Sequence, residues 1–185
     1  LDFDKAINLT PDNEEYFNYR GYAKTFIDNY KGAIKDYSIA LKLRPDSSKS
    51  PYINFNIGMA KGNTNDYKGA IKYISKAIKQ YPEDGAFFRQ RAYWKLRKKE
   101  LKGVLDDINN AEKLGYSKEF IYDIKGGYYY LEKKFIMTKN YYLKALKFNP
   151  KEHSHQIGVA YSDYKLGNIK ESCESFKKAR SLKEN

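Results

Sequence analysis

The sequence predicts an all-α chain assembled from repeated helical hairpins. Three observations carry that prediction. Two near-identical phrases occur, "AIKDYSIALKLRP" at 33–45 and "AIKYISKAIKQYP" at 70–82. An alanine recurs at Ala6, Ala40, Ala77, Ala111, Ala145 and Ala179, at intervals of 34, 37, 34, 34 and 34 residues. Within an interval the apolar residues keep the three-and-four spacing of one helix face, as at Tyr30, Ala33, Ile34, Tyr37, Ala40 and Leu41.

The elements follow in order. Residues 1–13, with Phe3 and Ala6 ahead of Pro11, read as the second helix of a preceding repeat. Five hairpins then occupy 14–47, 51–84, 85–118, 119–152 and 153–185, making one array over 1–185. "NEEYFNYRGYAKTFI" (13–27) is the first helix of the first hairpin. Second helices are expected to open at Tyr30, Tyr67, Leu101, Phe135 and Ile169, with the polar turns "DN", "NTND", "KKE" and "LGN" ahead of Tyr30, Tyr67, Leu101 and Ile169. Pro11, Pro45, Pro82 and Pro150 end second helices, because proline lacks an N–H and clashes with the preceding turn. The one long interval places three extra residues in "DSSKSP" (46–51), where a loop absorbs them and a helix would lose register. The last helix is polar beyond Cys173, Phe176, Ala179 and Leu182, which suits a solvent cap.

The columns of the alignment carry a resemblance. A small residue stands in each first helix at Gly21, Gly58, Ala92, Gly126 and Ala160. Four residues earlier comes a large one, Phe17, Phe88 and Tyr122, with Asn54 and Gln156 as departures. The second helix answers with Ala33, Ala70, Val104, Thr138 and Ser172. In length and pattern the unit resembles the tetratricopeptide repeat. That resemblance implies a right-handed superhelical α-solenoid, in which first helices line a concave groove that holds a partner's extended or helical segment. Small residues of the two helices would face each other so that their backbones approach closely, and each hairpin would be the packing surface for the next.

Composition narrows the classes. Charged residues make up 31% and the mean hydropathy is -0.83, with no apolar run near the roughly 20 residues that span a bilayer. Membrane insertion is therefore excluded as a reading. With 19 Tyr and 10 Phe, the chain has too much apolar surface to stay disordered. A lone cysteine, Cys173, forbids an intramolecular disulfide. The net charge of +12 raises nucleic acid as a partner, yet the excess is mostly Lys spread over helix faces, so RNA binding is the alternative and not the leading reading. The opening "LDFDKAINLTP" has neither an initiator Met nor a signal peptide's blocks, and reads as a fragment or mature form whose array continues N-terminally. With no targeting segment visible, the cytoplasm is favoured without the compartment being settled.

The resemblance maps groove-facing positions onto this chain. One column reads Asn18, Phe55, Arg89, Asp123 and Ile157; a turn later come Tyr22, Met59, Tyr93, Gly127 and Tyr161. A third holds Thr25, Gly62, Leu96, Tyr130 and Tyr164, and Asn63 and Arg97 flank these columns. Tyrosine offers a large contact area with a polar tip, so at least two of Tyr22, Tyr93 and Tyr161 are expected to be exposed. Arg89 and Arg97 are four residues either side of Tyr93, an Arg–Tyr–Arg face suited to an acidic segment. The expected site is Asn18, Tyr22, Phe55, Met59, Arg89, Tyr93, Arg97, Asp123, Tyr130 and Tyr161. One subclass of the family grips a C-terminal carboxylate with Lys and Asn; here only Asn56 matches, which disfavours that mode.

No cofactor, metal or catalytic centre is expected. His153 and His155 are two apart and diverge on a helix, and no nucleophile stands beside a base. The leading reading is a non-catalytic scaffold binding a protein segment, acidic with aromatic or apolar anchors. Self-assembly into a homodimer through exposed repeat ends is the third reading, after RNA.

Overall fold

A computed structural model describes residues 2–183; Leu1, Glu184 and Asn185, the outermost residues of the expected array, lie outside the described residues. The described residues form eleven α-helices and no strand. They fall into two compact units divided between Lys98 and Lys99.

The first unit holds α1 (Phe3–Leu9), α2 (Glu14–Phe26), α3 (Tyr30–Leu43), α4 (Ser50–Asn63), α5 (Tyr67–Gln80) and α6 (Gly85–Arg97). α2 pairs with α3 and α4 with α5, and α3 and α5 carry α4 and α6 in turn. Side-chain acceptors begin these helices: Asn13 and Asn29 each accept at 3.0 Å, from the N–H groups of Glu15 and Gly32, while Asp66 and Asp84 accept at 2.8 and 2.9 Å from Gly69 and Ala86. α1, α3 and α5 stop one residue before the one that precedes Pro11, Pro45 and Pro82, as the restricted backbone before proline requires.

Two clusters form the core of this unit. Phe17, Ala33, Tyr37, Ala40, Ile53 and Ile57 make one; Ala70, Ile74, Ala77, Phe87 and Trp94 make the other. The small residues of the first helices are notches for a bulky side chain as well as for the facing backbone. A methyl on Gly21 would stand 3.0 Å from the Tyr37 ring and 3.3 Å from the Ala33 carbonyl oxygen. On Gly58 it would stand 2.6 Å from Ile74 and 3.1 Å from the Ala70 oxygen. The expected small-against-small contact is present, but the side chain one turn further along the second helix fills the notch.

Asp36, 1% exposed, is the polar centre of the unit. Arg20 donates to both its oxygens, from Nε at 2.9 Å and Nη2 at 2.7 Å, and Lys24 Nζ donates at 2.7 Å. Burial pushes the Asp36 carboxyl up, and the bonds from Arg20 and Lys24 outweigh it, holding the group below its ordinary range. Arg20 also reaches Asp4 of α1, at 2.5 Å, so one guanidinium ties three helices together.

The second unit holds α7 (Val104–Lys113), α8 (Lys118–Leu131), α9 (Phe135–Leu146), α10 (His153–Lys165) and α11 (Ile169–Lys183). α8 pairs with α9 and α10 with α11, while α9 also packs on α10. α7 starts at Val104, three residues after the expected Leu101, because Gly103 adopts a left-handed φ of 70° at the N-cap. α9 stops at Leu146, well short of Pro150, with the Ala145 carbonyl taken by the N–H groups of Phe148 and Asn149 at 3.0 and 3.2 Å.

The Tyr142 ring is gripped by two glycines here: methyls on Gly126 and Gly158 would stand 2.6 and 2.4 Å from its opposite edges. Asp163, buried, accepts from Lys139 Nζ at 2.6 Å and from Asn168 Nδ2 at 3.1 Å. The recurring alanine is fully buried at Ala40, Ala77, Ala111 and Ala145, nearly so at Ala179, and half-buried at Ala6. The hairpin turns share a register as well. A left-handed residue recurs at Asp28, Asn65, Lys99, Lys133 and Gly167, with φ between 55° and 81°.

Candidate functional site

Each unit is taken by itself. In the first, α2 carries Asn18 and Tyr22, α4 carries Phe55 and Met59, and α6 carries Arg89, Tyr93 and Arg97. Tyr22 is exposed and meets Phe26, also exposed, edge to face at 4.9 Å. Asn18 is half-buried, and its Oδ1 has no hydrogen-bond partner among the described residues. Phe55 stacks on Phe87 at 5.0 Å, and with Met59 and Tyr93 it packs against the second core cluster while keeping one side at the surface.

The arginines divide their aromatic partners. Arg89 stands 5.6 Å over the Tyr93 ring and donates to Gln90 Oε1 at 2.6 Å. Arg97 is exposed and lies over Tyr67, 5.8 Å from the ring centre, with Nη2 donating to the Tyr67 hydroxyl at 3.3 Å. The Arg–Tyr–Arg arrangement expected around Tyr93 is thus an Arg89–Tyr93 pair beside an Arg97–Tyr67 pair. Tyr67 has a place in the sequence pattern only as a helix start, so nothing there marked it for this face. Trp94 links the two pairs, meeting Tyr93 edge to face at 4.7 Å and stacking on Tyr67 at 5.8 Å.

In the second unit, Tyr130 and Tyr161 meet at 5.5 Å, Phe135 adds an edge at 6.3 Å, and Lys165 Nζ stands 5.2 Å over Tyr161. With Leu131 and Lys133 these groups line a cleft of about 370 Å³. Burial and the neighbouring Tyr161 push the Tyr130 phenol up, so it stays a neutral donor. Asp123 is engaged within its own unit: His155 Nε2 lies 2.9 Å from Oδ1. His155 is buried and stacks on Tyr142 at 5.4 Å, and its Nδ1 has no hydrogen-bond partner among the described residues.

Of the three column tyrosines, Tyr22 is exposed and Tyr93 and Tyr161 are half-buried. Among the described residues, no group of three or more His, Cys, Asp or Glu side chains is placed to hold a metal ion, and no helix is long and apolar enough to cross a membrane. What these faces offer chemically is aromatic area, cations and neutral hydroxyls.

Comparison with known proteins agrees with the hairpin geometry. Residues 51–84 match the tetratricopeptide repeat family, the same limits that the alanine spacing sets for that hairpin. No curated protein matches the sequence. Solved structures do. MamA (residues 41 to the end) from Desulfovibrio magneticus RS-1 superposes with a TM-score of 0.81 at 16% identity, covering 92% of this chain and 95% of that one. YrrB, described as a TPR protein with an unusual peptide-binding site, gives 0.72 at 15% identity, over 100% of this chain and 94% of the other. Yeast Tom70 gives 0.68 at 22% identity, over 97% of this chain and 38% of its own. At such identities the likeness establishes the fold alone, an α-solenoid of helical hairpins. One hairpin, residues 51–84, is thus matched in sequence to a tetratricopeptide repeat, and the solenoid fold of helical hairpins is shared along the chain.

Proposed function

We propose that the protein is a non-catalytic interaction scaffold, and that the first-helix face of its N-terminal unit holds a partner segment that is acidic with aromatic or apolar anchors. The observation that carries this is the set of partly exposed side chains carried by the first helices α2, α4 and α6. It presents Tyr22, Phe55, Met59 and Tyr93 with Arg89 over one ring and Arg97 over another. Rings backed by guanidinium groups combine contact area with a directional hold on carboxylates. Asn18, on the same helix as Tyr22, keeps its Oδ1 buried and adds no acceptor to this set. Tyr130 and Tyr161, with Lys165, offer a similar surface in the C-terminal unit, whereas Asp123 serves to position His155. The unusual peptide-binding site described for YrrB supports the same use of the fold.

A peptide array tests the reading. Acidic peptides with one or two aromatic residues should be retained by the native chain, and Arg89→Glu and Tyr93→Ala should each weaken them by about tenfold. Unchanged binding in both variants removes the proposal. The charge of +12 favours single-stranded RNA as a second reading, which predicts an affinity falling steeply with salt and indifferent to Tyr93→Ala.

A further inference from the structure

One repeat lacks a ring that its neighbours have. Phe17 and Phe88 stand in the large-residue column on either side, each 8% exposed. The same column in α4 carries Asn54, whose amide is smaller and whose Nδ2 turns to Gln80 Oε1 at 2.8 Å. Beside Asn54 lies a cleft of about 450 Å³, lined by Leu41 of α3, Pro45, and Lys76, Lys79 and Gln80 of α5. Leu41, Pro45 and the lysine stems make its walls apolar. Its charge is all of one sign. Lys76 and Lys79 are exposed at the rim, Lys76 Nζ standing 4.8 Å over the Tyr73 ring, and no carboxylate lines the cleft.

We propose that this cleft docks an aromatic side chain of a partner protein, presented between acidic residues. The incoming ring takes the space that Asn54 leaves beside α3 and α5, its edge meets the Asn54–Gln80 amide pair, and the flanking carboxylates meet Lys76 and Lys79. The volume falls within the range of about 300–1,000 Å³ typical of ligand sites. A neutral apolar ligand would leave the two ammonium groups unanswered, and a basic segment would be repelled by them. None of the lining residues belongs to the face proposed above, so the site is independent of that reading.

The test uses the full chain carrying Arg89→Glu, which weakens the face proposed above without touching the cleft, and a fluorescent pentapeptide, Asp-Glu-Phe-Asp-Glu, followed by anisotropy. Replacing the central Phe by Ala, or the acidic residues by Lys, should weaken binding about tenfold or more. Asn54→Phe restores the ring of the neighbouring repeats and should abolish binding while leaving Tm unchanged or higher. Lys76→Glu/Lys79→Glu, confined to exposed side chains, should also abolish it, and serves in place of Asn54→Phe should that variant unfold. No binding by the Arg89→Glu chain, or equal binding once Asn54→Phe is added to it, would overturn the proposal. So would a dimer, seen by sedimentation, that Asn54→Phe dissolves without affecting the peptide.

Discussion

Tyr37 and Tyr142 occupy the same column of the repeat, one in each unit, and they are held differently. Tyr37 is fully buried against Gly21, and its hydroxyl has no hydrogen-bond partner among the described residues. Tyr142 is half-buried, gripped at both edges by Gly126 and Gly158, with His155 stacked on its face. Burial pushes both phenols well above the ordinary tyrosine range. The lesson is that a repeat column sets where a ring goes, while the residues that are not repeated set how tightly it fits. Gly158 has no counterpart in the small-residue column, and it turns a one-sided notch into a vice.

The sharpest way to break this comparison is to add one methyl to each glycine. In Gly158→Ala the new carbon falls 2.4 Å from a ring that Gly126 prevents from sliding away, and we expect a loss of about 3 kcal/mol. Gly21→Ala makes a 3.0 Å contact that small shifts relieve, and better helix propensity offsets most of the strain, so it should cost less than about 1 kcal/mol. Urea midpoints of the two variants would measure both, and equal losses would refute the two-sided grip.

A second contrast concerns the buried acids. Asp36→Asn should cost about 2 kcal/mol at neutral pH, because it removes charge from bonds to Arg20 and Lys24. Since the native carboxyl is held below its ordinary value of 3.8, its contribution is complete above that value. It is lost as pH falls through the depressed value. The stability gap between native and Asp36→Asn chains should therefore narrow on acidification; a constant gap would mean that the ion pairs contribute nothing. The smallest effect runs the other way. Tyr37→Phe removes a buried hydroxyl that has no partner, and thermal unfolding should show a gain of about 1 kcal/mol.

Much of the hairpin architecture was legible because proline, capping residues and small-residue columns act locally. The proline-bounded ends of α1, α3 and α5 follow from such signals, and the late start of α7 follows from Gly103, a signal present in "KGVL" but outweighed by the repeat register. The site was legible only as a list of columns. Pairing Asp123 with His155, or Arg97 with Tyr67, joins residues 32 and 30 positions apart on different helices, and side-chain reach and rotamer decide such contacts.

The periodic sequence alone determined the helical hairpins, their length of 34 residues and the burial of the recurring alanine. These follow from backbone sterics and from apolar spacing along one helix, both of which operate within a few residues. Only the tertiary structure decided which ring fills which notch, which acid each cation holds, and that Asn54 leaves a cleft where its neighbours carry a phenylalanine. Those outcomes depend on volumes and charges brought together from separate helices, and no spacing within a single helix encodes them.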